Sequence, residues 1–161
     1  MLIKVNKLDN LNRFSEIPKS GLVCDLMWAD PIENDKEAVS TSFKENKTRN
    51  CSYFFGLKAA KPFLQANKLL SVFRAHEAQL EGFKMYNWDK QDKFPQVITI
   101  FSAPNYCDMY NNKGSIVMLE SNNINVQQFN YSPHPYILPD FQNIFNWSIP
   151  FISEKSNIIY I

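Results

Sequence analysis

Residues 69–79 read Leu69-Leu70-Ser71-Val72-Phe73-Arg74-Ala75-His76-Glu77-Ala78-Gln79. The run begins apolar and stops abruptly at a charged corner that carries an imidazole. A short apolar stretch of this kind predicts a buried strand, and open α/β sheets place their ligands just beyond the carboxyl ends of such strands. Comparable runs recur at 82–88, 97–102, 115–120 and 124–130, separated by the polar turns QLEG, NWDKQDK, APNYCDMYNNKG and SNN. Val97-Ile98-Thr99-Ile100-Phe101 is almost wholly apolar or β-branched, which predicts a strand covered on both faces. Asn125-Val126-Gln127-Gln128-Phe129 has a mixed face, as expected of a strand nearer a sheet edge.

Upstream of residue 69 the rhythm is different. Leu8, Leu11 and Phe14 recur at three-residue spacing and predict one short helix that Pro18 ends. Leu22 to Trp28 is an apolar stretch broken by Asp25, and Asp30-Pro31 is expected to close it as a turn. Residues 33–50 are mostly polar and predict an exposed loop with room for one helical turn. Cys51 to Phe55 is strand-like. LKAAKPFLQAN, residues 57–67, predicts a helix with Leu57, Ala60 and Leu64 on one face and Asn67 as its stop. Pro62 interrupts that pattern, unless it marks the first turn. The last thirty residues hold four prolines and many aromatics without periodicity, and are expected to form an ordered coil over the sheet. Few helices are available to cover both faces of a sheet, so the chain reads as part of a fold.

Bulk composition narrows the class. A chain of 161 residues with 45% hydrophobic and 20% charged content matches one ordinary globular domain. Seventeen basic side chains face sixteen acidic ones, and a net charge of +1 gives no field to attract nucleic acid or an anionic membrane. Cys24, Cys51 and Cys107 are an odd number without CxxC spacing, which suggests neither a disulfide framework nor a zinc–cysteine site. The amino terminus lacks the apolar core of a signal peptide, and no apolar run reaches the ~20 residues needed to cross a bilayer. A soluble, cytoplasmic setting is therefore expected, in which sequons such as those at Asn46, Asn50 and Asn146 carry no glycan.

Few residues bear distinctive chemistry. His134 lies between two prolines, which assigns it a structural role. His76 is either a metal ligand at a strand end or a histidine that a loop carries, since one imidazole falls short of the four or more donors that a metal needs. Arg49 offers a planar fork of donors matched to phosphate oxygens, although a surface arginine looks the same in isolation. Tyr106 and Cys107 sit in a loop after the most buried strand that serves as a cleft wall or a plain connection. No Lys, Arg or His adjoins Cys107 to favour a thiolate.

In order along the chain, LVCDLMWADP, TRNCSYFFG, LLSVFRAHEAQLEGFKMY, ITIFSAPNYCDMYNNKGSIV and QFNYSPHPYILPDFQNIFNWSIPF resemble the C-terminal half of a serine/threonine phosphoprotein phosphatase catalytic domain. RAHEAQ, SPHPY and NWSIPF point to its calcineurin branch. By this resemblance residues 8–151 belong to the catalytic domain, 1–7 are unmatched, and 152–161 begin a truncated regulatory-subunit-binding segment. The implied fold is α/β, closer to α+β in this stretch: part of the metallophosphoesterase two-sheet sandwich with flanking helices, its N-terminal half absent.

The same resemblance implies hydrolysis of phosphoserine and phosphothreonine in proteins, with two metal ions, iron or manganese together with zinc, activating water. His76 matches a histidine ligand of the zinc-side metal, and Arg49 one of two arginines that hold the phosphate. Tyr106 matches the aromatic residue of the loop over the active site. Asn123, Ile124, Asn125, Val126, Gln127, Gln128 and Phe129 resemble the strand to which PxIxIT-type substrate peptides add. Tyr136, Trp147 and Phe151 resemble part of a second docking pocket, shared with a calcineurin-type regulatory subunit.

The family's D-x-H, G-D-x-x-D-R-G and G-N-H-E motifs do not occur in these residues, nor does a histidine before paired glycines. Those motifs carry the other metal ligands and the second arginine, so only one ligand, His76, is expected here and the chain by itself is expected to be inactive. By the same resemblance, calmodulin-binding and autoinhibitory segments are not expected within these residues. Asn50 stands where the family usually has Gly, which raises the question of whether that turn is kept. A non-catalytic peptide-docking module is the competing expectation.

Overall fold

The computed structural model describes residues 5–121, 123–134 and 148–154. It divides into two compact units, Met1–Tyr131 and Ser132–Ile161. The first unit opens with a one-turn helix, α1 (Val5–Leu8), and then irregular chain in which Phe14 is fully exposed. The predicted helix does not extend to Phe14 because Asn12 offers the backbone a competing partner: its Oδ1 accepts from the Phe14 N–H at 3.0 Å.

The Leu22–Trp28 stretch is helix α2. It ends at Ala29, whose extended backbone leads directly into β1 (Asp30–Pro31). Asp30-Pro31 is therefore a strand and not the expected turn. Proline is tolerated there because β1 lies at a sheet edge, where a missing N–H costs little. Residues 33–50, expected to be mostly loop, contain helix α3 (Asp35–Ser40) and strand β2 (Phe43–Glu45). Asn34 caps α3 by accepting from the Glu37 N–H at 3.1 Å, and Asp35 and Glu37 place negative charge in its first turn.

Strand β3 (Tyr53–Phe55) pairs in parallel with β1 and antiparallel with β2, giving the first sheet the order β1-β3-β2. Helix α4 spans Leu57–Asn67, with Ala60 and Leu64 buried on the predicted face. Pro62 lies inside it and not at its first position. The helix tolerates the lost backbone bond because its stability comes from the packed face. Gly56 precedes α4, and a Cβ there would sit 2.4 Å from the Ala38 carbonyl oxygen. Only glycine lets the end of α3 approach this junction so closely.

The second sheet has the order β4-β6-β5. Strand β4 (Val72–Arg74) is shorter than the apolar run from which it was read, and Leu69 and Leu70 are exposed ahead of it. Strand β5 (Phe83–Tyr86) flanks the central β6 (Val97–Ile100) on the other side. Val97, Ile98 and Thr99 are buried, as the doubly apolar pattern of that stretch predicts. Strands β7 (Gly114–Glu120) and β8 (Asn123–Phe129) form a two-stranded antiparallel ribbon. Its base is tied to the second sheet by the Ser115 N–H donating to Phe101 O at 3.0 Å.

The core gathers Ile32, Ala38, Ala60, Tyr86, Trp88 and Val97, with Phe54, Phe55 and Leu57 against them. Trp88, where the apolar run 82–88 overlaps the polar turn NWDKQDK, belongs to the core, and its ring packs on Tyr86 and Phe55 with centroids 5.5 and 6.2 Å away. In the second unit, residues 148–154 are helical, unlike the coil expected there, while Tyr136 and Trp147 lie outside the described residues. Among the described residues, no helix is long and apolar enough to cross a membrane.

Candidate active site

The junction between α2 and β1 sets a tryptophan and an aspartate two residues apart at the seam of the two sheets. The Asp30 side chain is only 3% exposed and its carboxylate is fully engaged. Oδ2 accepts from Asn46 Nδ2 at 2.8 Å and from Arg49 Nε at 2.9 Å, while Oδ1 accepts from Arg74 Nη2 at 2.9 Å. Burial pushes this carboxyl up, but the hydrogen bonds from Arg49 and Asn46 and the charges of Arg49 and Arg74 outweigh it and hold it below the usual carboxylate range. The guanidinium of Arg49 is correspondingly raised, chiefly by its hydrogen bond to Asp30.

Arg49 is delivered by a tight turn between β2 and β3. Asn46 builds that turn, its Oδ1 accepting from the Arg49 N–H at 3.1 Å. Asn50 follows with φ of 55° and Ser52 with φ of 58°, both left-handed. Asparagine tolerates this region better than most residues, so Asn50 can make the turn that delivers Arg49. The guanidinium carbon of Arg49 stands 5.9 Å from the ring centre of Trp28.

His76 lies two residues beyond β4 with φ of 88°, a conformation that L side chains rarely adopt. Its ring meets Trp28 edge to face, with centroids 4.9 Å apart at 89°. Loss of hydration against neighbouring groups lowers its pKa, and the positive charge of Arg49 lowers it further, so the imidazole favours its neutral form. The structure thus brings Arg49 and His76 together on one tryptophan. Arg74, the last residue of β4, also bonds Thr99 Oγ1 and Ala29 O, each at 3.3 Å, and makes a close ion pair with Glu77. Burial pushes the Glu77 carboxyl up despite that partner.

Tyr106 sits in a separate aromatic stack, its ring 5.2 Å from Phe101 and 5.5 Å from Tyr110. Asn112, 4% exposed, organises the loop by accepting from the Tyr106 N–H and donating to Ala103 O, both at 2.8 Å. This loop follows β6, whereas His76 follows β4, and the two strands are parallel neighbours with Arg74 opposite Thr99. Both segments therefore leave the same end of the sheet. Among the described residues, nine non-glycine positions have positive φ, and seven of them (Asn50, Ser52, His76, Asn105, Cys107, Asp108 and Asn111) lie in these three segments.

A resident metal ion does not fit this donor set by itself. His76 has two guanidiniums close enough to depress its pKa, and among the described residues no three His, Cys, Asp or Glu side chains cluster to hold an ion. What the arrangement offers is a cationic fork beside a neutral imidazole on a hydrophobic platform.

Sequence comparison places these segments in context. A family model described as calcineurin-like phosphoesterase matches residues 1–80. The chain is 50% identical over 162 aligned residues to the serine/threonine-protein phosphatase 2B catalytic subunit A1 of Saccharomyces cerevisiae. That alignment covers 96% of this chain and 29% of the relative. The chain belongs to the calcineurin-like phosphoesterase family. Other serine/threonine phosphatases are similar as well: serine/threonine-protein phosphatase 5 of Solanum lycopersicum is 35% identical, across 85% of this chain and 23% of that protein. A solved structure of a Saccharomyces cerevisiae protein serine/threonine phosphatase with similarity to human phosphatase PP5 superposes with a TM-score of 0.65 at 27% identity. It covers 84% of this chain and 42% of that one, and the chain spans less than half the length of each of these relatives.

Within this calcineurin-like chain, the reading of the sequence missed the residues that hold the others in place. Trp28, Asp30 and Asn46 received no functional role, and Arg74 and Glu77 were seen only as the corner before and after His76. A signal was present in Asp30, an acid closing an apolar stretch beside a tryptophan. The docking strand, Asn123–Phe129, is β8 and pairs only with β7 among the described strands. Phe151 is 60% exposed.

Proposed function

We propose that this chain supplies one side of the active site of a serine/threonine protein phosphatase. Arg49 binds and orients the phosphoryl oxygens, His76 occupies a ligand position for one of the family's metal ions, and Tyr106 forms an aromatic wall. The observation that carries this reading is the meeting of Arg49 and His76 on Trp28, each delivered by a strained turn. A guanidinium so held would orient a phosphomonoester and spread the charge that develops on its oxygens during hydrolysis. No step is assigned to a metal on this chain, because one imidazole beside two guanidiniums does not fit an ion alone. Phosphoserine and phosphothreonine proteins are the proposed substrates of the complete domain, and the 161-residue chain by itself is proposed to be inactive.

Inorganic phosphate titrated into the chain should bind saturably, and Arg49→Ala should abolish that binding. Equal affinity in both proteins would sink the assignment of Arg49. With manganese and a phosphoserine peptide, the chain should release no phosphate above an His76→Ala control, and turnover that this substitution abolishes would overturn the proposed inactivity.

A second reading is supported by the ribbon. Strand β8 has one neighbour among the described strands and exposes Asn123, Asn125 and Gln127. It suits a PxIxIT-type substrate peptide adding as a third strand. Phe151, and with it the matched Tyr136 and Trp147, would serve docking to a calcineurin-type regulatory subunit. A fluorescent PxIxIT-type peptide should gain anisotropy on the chain where a scrambled one does not, and identical behaviour of the two refutes docking.

A further inference from the structure

We infer that Arg74 is a positioning residue: by fixing the carboxylate of Asp30, it sets the direction in which Arg49 presents its guanidinium. The inference rests on the reading that Arg49 receives phosphoryl oxygens, and it adds a residue that touches no substrate. Each oxygen of the Asp30 carboxylate faces a different arginine, Oδ2 facing Arg49 Nε at 2.9 Å and Oδ1 facing Arg74 Nη2 at 2.9 Å. The carboxylate cannot rotate without straining both bonds. Arg74 is itself immobilised by Thr99 Oγ1, Ala29 O and Glu77, and its side chain is 13% exposed against 26% for Arg49.

The use of Nε matters. Among the described residues, the side-chain hydrogen bond of Arg49 runs through Nε, so both terminal amino groups remain available for an incoming anion. An arginine held end-on by the same carboxylate would spend those donors on the protein. Because Arg74 belongs to β4 and Asp30 to β1, the orientation of Arg49 depends on how the two sheets meet. Were Arg74 only a staple between sheets, its loss would lower stability and leave the Arg49 guanidinium where it is.

Nitrogen-15 spectra of the arginine Nε–Hε groups separate these cases. The chain has three arginines, Arg13, Arg49 and Arg74, and Arg13→Lys and Arg49→Lys assign the signals. Inorganic phosphate is the probe. In Arg74→Met the Arg49 signal should move and exchange faster with water, and the Kd for phosphate should rise about fivefold. Arg74→Lys keeps a cation for Oδ1 but not the fork, so it should move the signal part of the way. A folded Arg74→Met protein with an unmoved Arg49 signal and a Kd within about twofold of wild type overturns the inference. If the methionine variant does not fold, an unmoved signal in Arg74→Lys overturns it instead. Should the wild-type chain show no phosphate response while its Arg49 signal still follows Arg74, the positioning stands and the phosphate role of Arg49 falls.

Discussion

Replacing Asp30 by asparagine is the sharpest single perturbation, because it keeps the shape and removes the charge. The carboxylate is 3% exposed and accepts three hydrogen bonds of 2.8–2.9 Å, two of them from guanidiniums. An amide keeps one acceptor and turns a donor toward a donor. Breaking a buried ion pair from one side costs about 3–5 kcal/mol. Arg49 and Arg74 are 26% and 13% exposed and recover some hydration, so the lower end, about 3 kcal/mol, is expected here. For a chain of this size that corresponds to roughly 6–12 °C in Tm. The pH dependence has a definite sign. The folded carboxyl lies below its ordinary value, so its contribution is complete above pH ~4 and is lost as pH falls through that lower value. The amide that replaces it in the Asp30→Asn variant does not titrate. Urea unfolding followed by circular dichroism should therefore show a gap between the two proteins at pH 7 that shrinks as the pH falls below ~4. The raised Glu77 carboxyl acts with the opposite sign, and because the Asp30 charge is one cause of that rise, its share becomes smaller in the variant. A gap below about 1 kcal/mol at pH 7, or one that does not change with pH, refutes the charge network as described.

Two further substitutions probe its supports. Gly56→Ala places a Cβ 2.4 Å from Ala38 O and 2.6 Å from Thr41 O, both backbone atoms, and should cost about 2–3 kcal/mol in thermal unfolding. An unchanged Tm would mean that the junction between α3 and α4 yields easily. Asn112→Ala removes the acceptor for the Tyr106 N–H and the donor to Ala103 O, and should cost about 1–2 kcal/mol. It should also speed amide exchange at Tyr106 about tenfold, and unchanged exchange would show that the loop is held by other means.

What was legible in the sequence followed from local rules. Helix α4 was readable from the spacing of Leu57, Ala60 and Leu64, and β6 from five consecutive apolar or β-branched residues. Errors arose where a local cue met a tertiary one. Asp30-Pro31 looks like a turn, but a neighbouring strand, β3, pairs with it and makes it β1. Trp88 sits among polar residues, yet buried Gln96 pins that loop from inside, accepting from the Asp89 N–H at 3.1 Å, so the ring turns into the core. His76 and Arg49 were visible as candidates because one follows an apolar strand directly and the other, at the entrance of a strand, carries donors matched to phosphate oxygens. Asp30 and Arg74 were not, since an Asp–Arg contact across 44 positions has no local signature.

That separation explains where chemistry can form in this fold. Asp30 opens a strand of one sheet and Arg74 closes a strand of the other, while Arg49 and His76 lie a few residues from a strand of each. Neither sheet alone satisfies its own charged residue at the seam: the first leaves Oδ1 of Asp30 without its arginine, and the second holds Arg74 with a carboxylate, Glu77, whose burial favours its neutral form. Docking the sheets satisfies both groups and, in the same step, brings His76 and Arg49 onto Trp28 from opposite sides of the seam. Site assembly and sheet docking are therefore one event. Conditions that separate the sheets should remove anion binding while β6 and α4, whose bonds are local to each half, still persist.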